Sequence, residues 1–215
     1  PLVKLLEGTC GPEAQEEAAG ALFALADHEG NRVAITESGG IEWLVQLLGC
    51  DNAKAREHAE GALVRLSIES ANRVIIIEKL VGMLRDTGKS AQEQAAAALA
   101  NLASDSAENR NSIVDAGGIA PLLSLLSESA SSAKAKENAI SAISQLAHNS
   151  LENQLAIANA GGIQKLVAAL IGASANVKEL SGVKLCTLVA LGIWHMADNN
   201  RDNQTALMKE GAIPP

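Results

Sequence analysis

The residues that could do chemistry are few and far apart. Four histidines (His28, His58, His148 and His195) and three cysteines (Cys10, Cys50 and Cys186) are scattered over 215 residues. Only His148 and His195 fall near one helix face, and no third ligand joins them, so no metal site is expected. The cysteines lack the number and spacing of a disulfide framework, which points to a reducing, intracellular compartment, cytoplasmic or nuclear. A Gly-rich phosphate loop, Gly-x-Ser-x-Gly, His-Glu-x-x-His and a Cys/His pairing are all missing from the sequence. Adjacent carboxylates such as Glu16-Glu17 have no apolar pocket to shift a pKa. The expectation is therefore no enzyme and no cofactor.

Twenty-five acidic against 17 basic side chains give a formal charge of −8, the opposite of the basic stripe that duplex nucleic acid requires. With two Trp, one Phe and no Tyr, a core has to come from Ala, Leu, Ile and Val, which suits close helix packing. The longest mainly apolar stretch, Val183 to Ala197, is broken by Lys184, Gly192 and His195, so no membrane span is expected. No basic leader precedes an apolar run. Both ends read as the middle of an array, so a longer parent chain is expected.

What positions these residues is a repeat. The segment Gly-Gly-Ile-x-x-Leu occurs at Gly39, Gly117 and Gly161, and its first leucines and their degenerate copies are Leu2, Leu44, Leu80, Leu122 and Leu166, at steps of 42, 36, 42 and 44. Asn31, Asn72, Asn109, Asn153 and Asn203 run in phase with them. Between the two lies Ala-Leu-Phe-Ala-Leu-Ala ending at Ala26, with copies ending at Ser67, Ala103 and Ala147. Each unit reads as three helices. A short first helix runs from the Asn to the Gly pair, and a second carries leucines at i, i+3, i+4. A long third helix follows, as at Ala139, Ile140, Ile143 and Leu146. The first Gly supplies a left-handed ending, and the second lets the next helix start without a Cβ clash. One such unit cannot bury its apolar stripe alone, but stacked neighbours can.

These periods and motifs resemble armadillo repeats. HEAT units, the nearest rival, lack the Gly-bounded short helix. The resemblance covers the whole chain and implies an all-α fold, a right-handed α-α superhelix (armadillo-repeat solenoid) with three helices per repeat. It divides the chain into a partial repeat at 1–40, repeats at 41–77, 78–118, 119–162 and 163–212, and the start of another at 213–215. Two places depart from the pattern. From Asn31 to Leu44 is 13 residues but from Asn72 to Leu80 only 8, so five residues, including the Gly hinge, are missing. Either the two helices are fused there or the chain is interrupted. Loss of the hinge between two intact helix patterns favours a break or anomalous connection between Ile75 and Lys79. The last unit is long instead, with extra sequence between Ala173 and Val183, where Gly182 weakens a helix and Gly192 lies farther on.

The resemblance further implies that third helices line a concave groove that binds an extended peptide. Self-alignment puts Ala24, Arg65, Asn101, Gln145 and His195 in one ladder. Gly20, Gly61, Ala97, Ser141 and Leu191 lie one turn earlier, and Glu16, Glu57, Glu93, Glu137 and Thr187 two turns earlier. Asn or Gln could hydrogen-bond an extended backbone, and a Glu row could attract Lys or Arg. Asn101 matches the family's groove asparagine. Importin-alpha pockets also need a Trp one turn before it, which is absent here, and beta-catenin has a strongly basic groove, which is not expected here. The leading expectation is a protein-protein interaction scaffold holding an extended, basic protein segment. Its groove residues would be Glu57, Arg65, Glu93, Asn101, Glu137, Gln145, Trp194 and His195, with Trp43 as a surface contact. The alternative is a structural subunit of a large assembly, gripping neighbours by its convex face and repeat edges. Plain structural roles compete with these. The glutamates would meet the dipole in the first turns of their helices, the Asn series would N-cap the first helices, and Trp194 would fill core. Asp115 and Asp198 would be solvated.

Overall fold

The computed structural model describes residues 1–8, 10–85, 88–127, 132–174 and 180–212. Residues 213–215, expected to open another repeat, lie outside them, as does the centre of the extra sequence, residues 175–179. The described residues are helical, without strands. They form two compact units, Pro1–Ala98 and Leu99–Pro215.

The first unit contains α1 (Leu2–Leu5), α2 (Pro12–Leu25), α3 (Glu29–Glu37), α4 (Gly40–Leu47), α5 (Ala53–Leu66) and α6 (Ser70–Leu84). The boundary between units falls inside α7 (Lys89–Asp105). The second continues with α8 (Ala107–Asp115), α9 (Ile119–Ser127), α10 (Ala133–Ala147), α11 (Leu151–Asn159), α12 (Gly162–Ser174), α13 (Leu180–Ala197) and α14 (Arg201–Lys209). Third helices pack on third helices, α2 on α5 and α10 on α13, and each is backed by its second helix, α4 on α5 and α9 on α10. The seams are aliphatic. Leu44, Leu63 and Leu66 are fully buried in the first unit, and Leu122, Ile143 and Leu166 in the second. Transferring each such side chain from water is worth roughly 1.5–3 kcal/mol.

The Gly pairs act as their pattern suggests. Gly39 and Gly161 hold φ of +74° and +79°, where an L side chain is strained. At the next position a Cβ on Gly162 would lie 2.4 Å from Ile157 Cγ2 and 2.7 Å from its carbonyl oxygen. The second Gly therefore permits the turn from α11 into α12.

Where that pair is missing, the helices fuse. The chain runs from Ser70 to Leu84 as one helix of 15 residues, so the interruption expected between Ile75 and Lys79 is replaced by continuous backbone. The physical reason is local: no residue from 74 to 79 adopts positive φ, and helical hydrogen bonds propagate until something breaks them. The extra length of the last unit also goes partly into helix. α12 has 13 residues, against 8 in α4 and 9 in α9, and α13 runs through Gly182 and Gly192.

The asparagine series does not N-cap. Each is the third residue of its helix, and the caps stand three residues earlier at His28, Glu69, Ser106, Ser150 and Asn200. The asparagines face backwards instead. Their Nδ2 groups donate to the carbonyls of Leu25, Leu66, Leu102, Leu146 and Met196, at 3.0, 3.3, 2.9, 3.0 and 2.9 Å. The next side chain does likewise: Arg32 to Ala26, Arg73 to Ser67, Arg110 to Ala103, Gln154 to Ala147 and Gln204 to Ala197. Last-turn carbonyls have no partner within their own helix, and these pairs supply one while fixing how each first helix leaves the preceding third helix.

Two substitutions test this account. Asn153→Ala should cost about 1–3 kcal/mol by leaving the Leu146 carbonyl buried and unpaired. Gly161→Ala should cost about 1–2 kcal/mol through left-handed strain. Urea denaturation measures both, and loss of only a few tenths of a kcal/mol at Asn153 would contradict the backward bond.

Candidate functional site

The proposed groove residues lie on the third helices, and the structure treats them unequally. In the first unit Arg65 of α5 reaches back to α2. Its Nη1 donates to Phe23 O at 2.6 Å, its Nε meets Asp27 Oδ1 at 3.0 Å, and the guanidinium lies 3.6 Å from the Phe23 ring centroid. The absence of a side chain at Gly61 makes room for that ring, since a Cβ there would be 2.6 Å from Phe23 Cε2. His195 of α13 plays the matching part in the second unit. It is buried, with Nδ1 2.9 Å from Ser144 O and 3.1 Å from Ser144 Oγ. Phe23 and Ser144 occupy the same register, so the Arg65 and His195 side chains join consecutive third helices. Asn101 is exposed on α7 and Gln145 half-buried on α10.

The glutamates are not in first turns. Glu16, Glu57, Glu93 and Glu137 are each the fifth residue of their helix, and the pull of the dipole has faded by then. Two of them face a lysine from the following repeat. Glu16 accepts from Asn52 Nδ2 at 2.8 Å with Lys54 Nζ at 3.5 Å, and Glu137 meets Lys184 Nζ at 2.6 Å. The Asn52 bond, helped by Lys54, holds the Glu16 carboxyl below its ordinary pKa, and the bond to Glu137 raises that of Lys184. Glu137 is buried and Glu93 half-buried, while Glu57 is exposed. Lys54 and Lys184 stand three residues before the Glu57 and Thr187 register. That recurrence in the sequence was the signal for these pairs.

The two tryptophans also differ. Trp43 is half-buried in α4. Trp194, named as a groove residue with core filling as the competing role, is 63% exposed, which excludes core filling. At the same register Phe23 is covered by Arg65 of the next third helix, whereas no described third helix follows α13. The His148 and His195 rings lie 4.8 Å apart and the Trp194 and His195 rings 5.2 Å apart. Among the described residues no three His, Cys, Asp or Glu side chains converge on one point, and no single helix is long and apolar enough to cross a membrane.

Comparison with known proteins agrees with this geometry. The armadillo/beta-catenin-like repeat family model matches residues 106–148. A computationally designed armadillo repeat protein for modular peptide recognition superposes with a TM-score of 0.67 at 23% identity, over 99% of this chain and 88% of its own. The chain has the armadillo-repeat solenoid fold, and residues 106–148 match the repeat itself. Other similar solved structures are an engineered protein, 30% identical over 98% of this armadillo chain and 84% of its own, with a TM-score of 0.69, and a designed armadillo repeat protein in complex with the peptide (KR)4. The latter is 22% identical over 99% and 89%, with a TM-score of 0.69. No curated protein matches the chain.

One titration tests the packing of this armadillo surface. Burial, then the neighbouring His195 and Arg110, hold the His148 pKa below the ordinary 6.5, against the opposing pull of Asp198. The unfolded chain therefore binds a proton at a pH where the folded chain does not, and stability present above that ordinary value is lost as the pH falls through the lower folded value. The melting temperature should drop between about pH 7.5 and about pH 5.5, and His148→Gln should flatten the drop. An unchanged pH profile in the variant would exclude His148 as its source.

Proposed function

We propose that this armadillo chain is a protein-binding scaffold without chemistry of its own, and that third-helix faces of its first unit capture an extended, basic protein segment. Charge distribution carries the reading. Residues 1–98 hold fifteen acidic and nine basic side chains, and residues 99–215 ten and eight, so most of the negative charge belongs to one unit. Glu57 is exposed there on α5, as are Glu13 and Glu17 on α2. A field of that sign steers a Lys/Arg-rich segment toward the surface and disfavours nucleic acid. That a designed armadillo repeat protein of similar fold is solved in complex with (KR)4 supports the reading. Because Glu16 and Glu137 are engaged by lysines and Arg65 and His195 by neighbouring helices, recognition falls first to the exposed Glu57.

A second reading rests on the first helices. Val33, Val74 and Leu155, each two residues after its Asn, are 47%, 49% and 42% exposed. Apolar residues recurring at one exposed register suit a subunit that contacts neighbours in an assembly through that face.

The two readings separate experimentally. With a fluorescent Lys/Arg octapeptide as probe, Glu57→Lys with Glu93→Lys should weaken binding by about tenfold or more, with circular dichroism unchanged. Equal affinity in the folded variant would remove the acidic-face reading. Loss of capture from lysate on Val33→Asp with Val74→Asp would favour the assembly reading.

A further inference from the structure

The second unit contains a cavity of about 600 Å³ between α9, α10, α12 and α13. Its size falls within the range of small-molecule sites. Leu126, Ile140 and Leu185 supply an apolar floor, and Gly172 and Ala173 form part of one wall. That wall exists because α12 continues past the length of α4 and α9, so the extra residues of the last unit contribute directly to the cavity.

The cavity is bordered by cations in a chain whose formal charge is −8. Lys136 and Lys165 line it, and Lys134 and Lys184 flank it through Glu137, at 3.9 and 2.6 Å. Comparison with the first unit shows what is unusual. Arg56, at the register of Lys136, donates to the Cys50 carbonyl at 2.6 Å and so closes the turn after α4. The Lys136 ammonium makes no ion pair or hydrogen bond among the described residues, and Lys165 Nζ donates only to the Ser127 hydroxyl. Four lysines thus stand in or beside the cavity against a single lining carboxylate, Glu137, which Lys184 already engages, above a floor of aliphatic carbon.

We propose that this cavity binds a small amphiphilic anion, a carboxylate carried on a medium-length apolar chain. The head meets the Lys136 and Lys165 ammonium groups and the chain lies on Leu126, Ile140 and Leu185. A fully polar anion would leave the floor wet, and a neutral chain would leave the ammonium groups uncompensated, so both parts of the ligand are needed. The inference is independent of peptide capture by the first unit.

Isothermal titration of the whole chain with decanoate, decanol and acetate tests it. Decanoate should saturate at one site, and decanol and acetate should bind about tenfold or more weakly than decanoate. Lys136→Gln with Lys165→Gln should weaken decanoate by about tenfold while leaving the Lys/Arg octapeptide unaffected. Ala169→Leu, which fills the cavity from α12, should abolish decanoate binding with unchanged circular dichroism. Failure of decanoate to saturate, retention of its affinity in the folded double-lysine variant, or equal binding of decanol would overturn the proposal.

Discussion

Most of the local architecture depends on the unpaired carbonyls at the end of each third helix. A helix terminus leaves four of them without partners, and at Leu66, Leu102, Leu146 and Met196 the bond that answers one is buried. The Asn-Arg or Asn-Gln pair in the first turn of the following helix answers this five times, at residues 31–32, 72–73, 109–110, 153–154 and 203–204. Since the bonds come from side chains of the next helix, satisfying the terminus and setting the exit direction are one event. Gln154 extends this further: its Nε2 also donates to His195 O at 2.8 Å while its Oε1 accepts from Asn200. In the second unit a single amide thus touches two successive junctions.

The same economy shapes the surface of the third helices. Much of the polarity in the aligned ladders is used between neighbouring repeats, in Arg65 on Phe23, His195 on Ser144, Lys54 on Glu16 and Lys184 on Glu137. Partly exposed pairs of this kind contribute modestly to stability but fix the register in which helices stack. What remains for a partner is therefore unit-specific. The first unit keeps exposed carboxylates, and the second keeps Trp194 and a lysine-bordered cavity.

Legibility in the sequence followed the range of the interaction. The unit length, the helix triplets and the Gly hinges were readable because each depends on residues within one or two turns, as at Gly161-Gly162 against Ile157. The asparagines were recognised as structural, but the direction of their bonds was not, because sequence leaves a helix start uncertain by a few residues and the caps stand three residues earlier. The glutamate row was visible as a row, yet its neutralisation depends on lysines 38 and 47 residues away. A core role for Trp194 competed with the groove role because the covering helix that decides burial at this register, as at Phe23, is a tertiary feature. The fused helix was one of two readings open in the sequence, and backbone geometry chose it.

Fusion at α6 has a consequence for the chain before it folds. The segment Arg73-Val74-Ile75-Ile76-Ile77-Glu78-Lys79 concentrates four β-branched residues where other units have a polar turn and two glycines. Such side chains favour extended over helical backbone, so the helix there is held by packing of Ile76 and Ile77, both fully buried. In a nascent or heat-unfolded molecule the same stretch is a candidate for intermolecular strand pairing. Arg73 on one side and Glu78-Lys79 on the other bracket it with charge, as gatekeepers bracket unavoidable sticky segments.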